Sequence, residues 1–308
     1  MKFVAERRER RRRCQVRFGC WNVRSLVERD GGLETASVTG NVVENKKINR
    51  VADELRRLNI TAAGLQETHW FGSGIYSVEN STVLCSGRPV PGGGDSCRRG
   101  EGVGIILNRT GTEAWKAAGC VWRSVSPRVV SARLLFTLAD GTSEYFTLVS
   151  AYAPTFAASR SSKEIFFDDL QRTLNDTPSN DHCVVLGDFN ARVGSGQLDD
   201  EWYGVRGTHG FGRLNSSGAE LLSFAAANRL CICNTWFPKR DLFKRTWQHP
   251  RTLQWHCIDH ILVRQEDLSA CTDVSVIRNA ECGSDHQLLH VSWDMSSPIR
   301  FSKQCTAS

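Results

Sequence analysis

Short apolar runs rich in β-branched and aromatic residues alternate along this chain with segments of helical periodicity, and that alternation restricts it to layered α/β architectures. The first strand is read at Val16 to Trp21, followed by a polar loop carrying Gly31 and Gly32. A helix is read over Glu44 to Asn59, where Ile48, Val51, Leu55 and Leu58 fall on one face. Strands are expected at Ile60 to Gln66, Gly102 to Leu107, Val129 to Leu138 and Tyr145 to Ala151, the last two joined through an Asp140-Gly141 turn as a hairpin. Ser161 with Glu164 and Ser217 with Glu220 read as capping boxes, each opening a helix. Strands at His182 to Leu186, Leu230 to Cys233, Cys257 to Val263 and Leu288 to Trp293 complete the pattern. There is no internal repeat, and Pro89 to Gly94 reads as a surface loop.

Charge separates a domain from its ends. Of the 39 Lys and Arg, seven lie in residues 1–13 against two acids, so most of the net +6 belongs to an N-terminal arm and the body is close to neutral. We expect a disordered basic arm over 1–15, one domain over 16–295 and a flexible tail over 296–308. The run Arg7 to Arg13 is read as a nuclear localisation signal or a nonspecific DNA tether. The N-terminus has no apolar stretch of the secretory kind, and no run approaches the ~18 apolar residues of a membrane span. The expectation is an intracellular, nuclear protein with no membrane association, whose twelve cysteines are reduced thiols. Cys231-x-Cys233 is spaced too tightly for a structural zinc pair and reads as strand alternation. Lys46, Lys47, Arg50, Arg56 and Arg57 on the first helix, and Arg98 with Arg99, are read as a solvated face with phosphate contact as the alternative. Trp70 and Trp202, in loop-like sequence, are candidates to stack on a base.

Polar residues recur where the strands run out: Asn22 in Trp21-Asn22-Val23-Arg24-Ser25, Glu67 in Leu65-Gln66-Glu67-Thr68, Tyr152 in Ala151-Tyr152-Ala153-Pro154, and Asp188 with Asn190 in Gly187-Asp188-Phe189-Asn190. Asp259 stands inside the apolar run Ile258-Asp259-His260-Ile261-Leu262, and Ser284-Asp285-His286 opens the last strand. A carboxylate beside an apolar strand is costly unless a cation or hydrogen bonds compensate it, so several at strand ends imply a shared metal pocket. Asp259 in particular calls for a partner, and a His is the natural one.

In that order the six motifs resemble the endonuclease/exonuclease/phosphatase superfamily of metal-dependent phosphodiesterases. Gly64-Leu65-Gln66-Glu67-Thr68-His69-Trp70, Leu186 to Gly194, and Thr246-Trp247 ahead of Ile258-Asp259 carry a narrower resemblance, to RTE-type non-LTR retrotransposon endonuclease domains and the craniofacial development protein 2-like proteins. The resemblance covers roughly residues 16 to 293. It implies two packed mixed β-sheets flanked by helices, a four-layer, DNase I-like α/β sandwich with the active site at one end. It further implies that Glu67 binds Mg²⁺, for which Mn²⁺ can substitute, with help from Asn22 and Asp285. Asp188 would activate the attacking water, Asn190 would orient it or steady the phosphate, and Tyr152 would donate to a phosphate oxygen. His286, held in its tautomer by Asp259, would contact the scissile phosphate, and Thr246 would be a phosphate contact. Whether Asp188 or His286 takes the proton stays open. Some repair-type members carry a carboxylate two residues after the first-motif Asn where this chain has Arg24, which weighs against an abasic-site repair enzyme.

The function implied is a Mg²⁺-dependent DNA endonuclease of non-LTR retrotransposon origin, with RNA as a second nucleic-acid substrate and a monomer compatible with the sequence. The alternatives are a host protein of retroelement origin that binds nucleic acid or chromatin without cutting, which the chain's end soon after Trp293 motivates, and an enzyme acting on a non-nucleic-acid phosphoester.

Overall fold

The computed structural model describes residues 15–27, 45–89, 101–196 and 202–295, with the backbone of four short strands between residues 29 and 44. Residues 1–14 of the arm, the 296–308 tail, Gly31 and Gly32, the Pro89 to Gly94 loop beyond Pro89, and Arg98 with Arg99 lie outside the described residues. The chain runs β1 (Gln15–Asn22), α1 (Lys46–Arg57), β2 (Ala62–Gln66), β3 (Ser73–Val78), β4 (Ser81–Ser86), β5 (Val103–Leu107), α2 (Arg109–Ala117), β6 (Trp122–Ser126), β7 (Val129–Thr137), β8 (Ser143–Tyr152), α3 (Arg160–Asn175), β9 (His182–Asp188), α4 (Ser216–Ala227), β10 (Leu230–Ile232), β11 (Asp259–Arg264), β12 (Cys271–Ile277) and β13 (Leu288–Asp294).

These strands form two mixed sheets. One runs β12-β13-β1-β2-β5-β4-β3 and is extended at its edge by Val42–Glu44 and Ser37–Thr39; the other runs β6-β7-β8-β9-β11-β10. Their inner faces meet in an apolar core in which Phe146 packs against Phe18 at 5.4 Å and against Trp293 at 5.1 Å between ring centroids. Burying one such side chain contributes roughly 1.5–3 kcal/mol. Cys231 and Cys233 sit in this core. On the outer face of the first sheet, α1 buries Ile48, Val51, Ala52 and Leu55. On the outer face of the second, α3 and α4 bury Phe166, Leu170, Leu221 and Leu222. The result is the expected four-layer sandwich.

Close to the functional end the sheets are pinned by polar contacts. Buried Gln66 donates to Ser150 Oγ and to Leu186 O, each at 3.1 Å, and Ser150 donates to Leu65 O. Gly64 makes this approach possible, because a Cβ there would stand 2.9 Å from the Leu186 side chain. Among the described residues no helix is long and apolar enough to cross a membrane.

Several local expectations need correction. The helices begin earlier than the capping boxes imply: Ser159, not Ser161, caps α3 by accepting from Ser162 N, and Asn215, not Ser217, caps α4 by accepting from Gly218 N. Asn and Ser are equally good caps, so nearby candidates compete and tertiary contacts choose between them. The first helix starts after Asn45, and Glu44 ends a short strand. Trp70 and Trp202 are not stacking surfaces: both are buried, Trp70 edge-to-face with Tyr76 and Trp202 under α4 with the apolar outer face of the second sheet.

Candidate active site

Strand pairing assembles the site from segments far apart in sequence. β1 and β2 are parallel neighbours joined through α1, with Asn22 opposite Gln66, so Asn22 and Glu67 emerge side by side. β8 and β9 repeat the arrangement through α3, with Tyr152 opposite Asp188. β11 runs antiparallel to β9 in a register that places Asp259 directly against Asp188. β13 pairs with β1, which brings the preceding Asp285 and His286 to the same end. The strand ends turn sharply here: Glu67 has φ of 54° and Asn190 φ of 49°, left-handed values that non-glycine residues seldom adopt and that tend to collect at functional sites.

The side chains form one hydrogen-bonded set. Asn22 Nδ2 donates to Glu67 Oε1 at 2.8 Å and to Asp188 Oδ2 at 3.0 Å, while its own oxygen accepts from Arg24 N. Tyr152 OH donates to the same Glu67 oxygen at 2.9 Å. The Asn190 amide N–H donates to Asp188 Oδ1, and its side chain donates to Ala153 O. His286 Nδ1 lies 3.0 Å from Asp259 Oδ2, and its Nε2 lies 4.0 Å from Asp188 Oδ2. Trp247 Nε1 donates to Asp285 Oδ2 at 3.2 Å. Thr246 Oγ1 accepts from the backbone N–H groups of both Ile258 and Asp259.

Burial makes these charges count. Burial and the neighbouring Asp259 push the Asp188 carboxyl up to about 7, against the pull of His286 and the Asn22 hydrogen bond. Burial pulls the His286 imidazole down, but the Asp259 charge and hydrogen bond outweigh it and hold it at about 9. Burial, Glu67 and Asp188 raise the Tyr152 phenol, which therefore remains a donor. At neutral pH the set thus pairs an imidazolium with a carboxyl poised to lose its proton.

Glu67, Tyr152, Asp188, Asn190, Asp285 and His286 line one open cleft of about 790 Å³, whose walls also include Phe156, Trp247, Ile258 and Arg192. Asn22 and Asp259 stand behind this surface, fully buried. Thr246 is fully buried too, with its hydroxyl committed to two amides, so it holds Asp259 in place instead of reaching a phosphate as the sequence implies. The donor chemistry fits a hard divalent cation. Four carboxylates converge here, and the partly exposed Glu67 and Asp285 each line the cleft; Asp188 is raised by its burial first and by the Asp259 charge second. Asp188, Asp259 and His286 also place one ligand-type atom each within 4.8 Å of one another. Asn22 faces the carboxylates with its nitrogen, bridging Glu67 to Asp188, and not with the oxygen that a metal ligand would use.

Other sequence-level candidates fall elsewhere. Arg56 and Arg57 on α1 pair with Asp53, Glu79 and Glu54 at the surface, as expected of a solvated face, whereas Lys47 donates to Arg24 O beside the site. Trp247, Phe156 and Arg192 are cleft residues that sequence reasoning does not single out. Trp247 and Arg192 are within its reach, since each lies in a motif already noted, but Phe156 carries no signal before the loops are placed.

The model of the endonuclease/exonuclease/phosphatase family matches residues 19–286. Craniofacial development protein 2 from Bos taurus is 32% identical over 274 residues, which cover 88% of this chain but only 40% of that protein. Among solved structures, the endonuclease domain of TRAS1, a telomere-specific non-LTR retrotransposon, superposes with a TM-score of 0.56 at 14% identity, covering 92% of this chain and all of that one. The AP endonuclease LMAP from Leishmania major gives a TM-score of 0.60 at 13% identity, covering 91% of this chain and 88% of its own. At such identities these two structures establish a shared fold.

Proposed function

The chain belongs to the endonuclease/exonuclease/phosphatase family, and from that premise we propose that it is a divalent-metal-dependent endonuclease that nicks DNA, derived from or belonging to a non-LTR retrotransposon and acting in the nucleus. The observation that carries this reading is the convergence of Glu67, Asp285, Asp188 and the Asp259–His286 pair on one cleft, with Tyr152 and Asn190 beside them.

Glu67 and Asp285 are assigned as the carboxylates that hold Mg²⁺, or Mn²⁺ in its place, with Asn22 fixing Glu67 through its amide nitrogen. A cation held there supplies Lewis-acid stabilisation of the charge that builds on the phosphate oxygens. The carboxyl of Asp188 sits near 7, which favours it over His286, already protonated up to about 9, as the group that takes a proton from water. Asn190 N–H fixes one oxygen of Asp188, while the other accepts from Asn22 Nδ2 and lies 4.0 Å from His286 Nε2. The imidazolium of His286, oriented by Asp259, faces a phosphate oxygen as a charged donor, and the Tyr152 phenol is a second donor to it. Thr246 acts through Asp259, whose backbone it anchors.

The test is nicking of supercoiled plasmid. Wild-type protein should relax it with Mg²⁺, EDTA should abolish cutting, and Asp188→Ala and His286→Ala should each remove it. Plasmid left intact by the wild type would overturn the reading. A panel that adds inositol phosphates and sphingomyelin separates nucleic acid from other phosphoesters, and DNA binding without turnover would favour a chromatin-binding role.

A further inference from the structure

Resting on the endonuclease reading, we propose that Arg192, together with Asn215 and His256, forms a second anion subsite in the cleft, holding a phosphate of the bound strand other than the one being cut. Several half-buried guanidinium groups elsewhere in the fold have carboxylate partners: Arg88 and Arg128 share Glu101, and Arg133 lies on Asp181. Arg192 lines the cleft, and among the described residues its guanidinium has no carboxylate partner. The other guanidinium there, Arg24, stands at the catalytic end, 4.0 Å from Asp285. A cleft cation with no carboxylate partner among the described residues is available to the charge of a ligand.

Its root is rigid. Arg192 N–H donates to Asn215 Oδ1 at 3.0 Å, Asn215 N–H returns a bond to Arg192 O at 3.1 Å, and the same Asn215 oxygen caps α4. Helix and loop approach so closely that a Cβ on Gly218 would lie 1.9 Å from Arg192 O. A base anchored in this way lowers the ordering cost of binding. His256 lies near enough that, after burial, the Arg192 charge is the next cause lowering its imidazole, so the ring is neutral at pH 7 and adds a hydrogen-bonding group without a second charge.

Phe156, Trp247 and Ile258 complete the apolar part of the wall. A cleft of about 790 Å³ is the size of a site for a drug-sized ligand, far more than one phosphate group fills. A polynucleotide offers several phosphates to such a cleft, whereas a phosphomonoester or a small diester offers one. Arg192 is therefore a specificity residue for internal linkages of a strand.

The experiment compares wild type with Arg192→Gln and Arg192→Lys on plasmid and on bis(p-nitrophenyl) phosphate, both with Mg²⁺. Arg192→Gln should raise KM for plasmid about tenfold and flatten the slope of log kcat/KM against log salt by about one. Its loss on plasmid should exceed its loss on the small diester at least fivefold, and Arg192→Lys should recover part of the difference. Equal losses on both substrates, or an unchanged plasmid KM and salt slope, would overturn the proposal. If the wild type cuts neither substrate, the endonuclease reading fails, and fluorescence anisotropy with a 20-base-pair duplex decides the subsite: weaker binding by Arg192→Gln upholds it and equal binding refutes it.

Discussion

Replacing Asp259 by Asn isolates what the buried carboxylate does for His286. In the wild type the imidazole is held at about 9 although burial alone would lower it. Against an ordinary value near 6.5, that gap corresponds to about 3 kcal/mol, at roughly 1.4 kcal/mol per pH unit. The sign follows from linkage: a raised folded-state value contributes stability that is fully present below about 6.5 and is lost as pH rises through about 9. The amide of Asp259→Asn keeps the shape but not the charge, so burial should then dominate and carry the titration below 6.5. The variant should be less stable than wild type by about 3 kcal/mol near pH 6. That deficit should vanish by pH 9.5, where the imidazole is neutral and relief of the Asp188–Asp259 repulsion favours the variant. NMR titration of the His286 ring in EDTA and urea unfolding from pH 6 to 9.5 read the two effects. With Mg²⁺ present, kcat for plasmid nicking should fall about 10²–10⁴-fold. A His286 midpoint still near 9 in Asp259→Asn, or a pH-independent stability difference, would refute the assignment of Asp259 as its source.

Three further outcomes are expected. Thr246→Val removes the acceptor for two buried amides and should cost about 1–3 kcal/mol by urea unfolding and lower kcat more than it changes KM, while Thr246→Ser retains both; an equal effect of Ser and Val would sink the positioning role. Burial lowers the His290 imidazole to about 4, so its contribution is intact above about 6.5 and lost as pH falls toward 4, up to about 3 kcal/mol. His290→Gln should flatten that acid limb, and an unchanged limb argues against it. Deleting residues 1–13 should leave metal-dependent cutting intact at low salt and raise its sensitivity to salt; complete loss of cutting would place the domain boundary elsewhere.

What can be read from the sequence divides along a physical line. The strands buried on both faces, β1, β2, β5, β8, β9 and β13, announce themselves as apolar runs because neither face can be polar, and the motifs at their ends come with them. The β3–β4 hairpin escapes such a reading: Ser73–Val78 reads SGIYSV, alternates exposed with half-buried, and lacks the density of apolar residues that marks a buried strand. β12 does alternate, as CTDVSVI, but its apolar residues are interspersed with Ser, Thr and Asp, which hides it among loops. Site residues identified by type are placed together by pairing register, which sequence order alone does not contain: Asp188 and Asp259 are 71 positions apart and directly opposed. The direction in which a side chain spends its hydrogen bonds is not legible either. Thr246 turns inward to two amides, and Asn22 turns its nitrogen to two carboxylates.

The distribution of charge explains why those inward turns matter. The body of the chain is nearly neutral, yet one end of the sandwich gathers Glu67, Asp188, Asp259 and Asp285 close to the His286 imidazolium, with Arg24 4.0 Å from Asp285. Burial and, after it, the Asp259 charge raise Asp188 to about 7, so part of its elevation comes from this gathering. The neutral donors of Asn22, Tyr152 and Asn190 compensate the acids without cancelling their charge, because a hydrogen bond stabilises a carboxylate while leaving it anionic. Replacing any of these donors by Lys or Arg would make the fold more comfortable and remove the reason for a divalent cation to bind. The same reasoning places attraction for a polyanionic strand outside the acidic end, on groups such as Arg192 that have no carboxylate partner among the described residues. On the proposed reading, the cation and the strand would then be held by different groups of the cleft instead of competing for one.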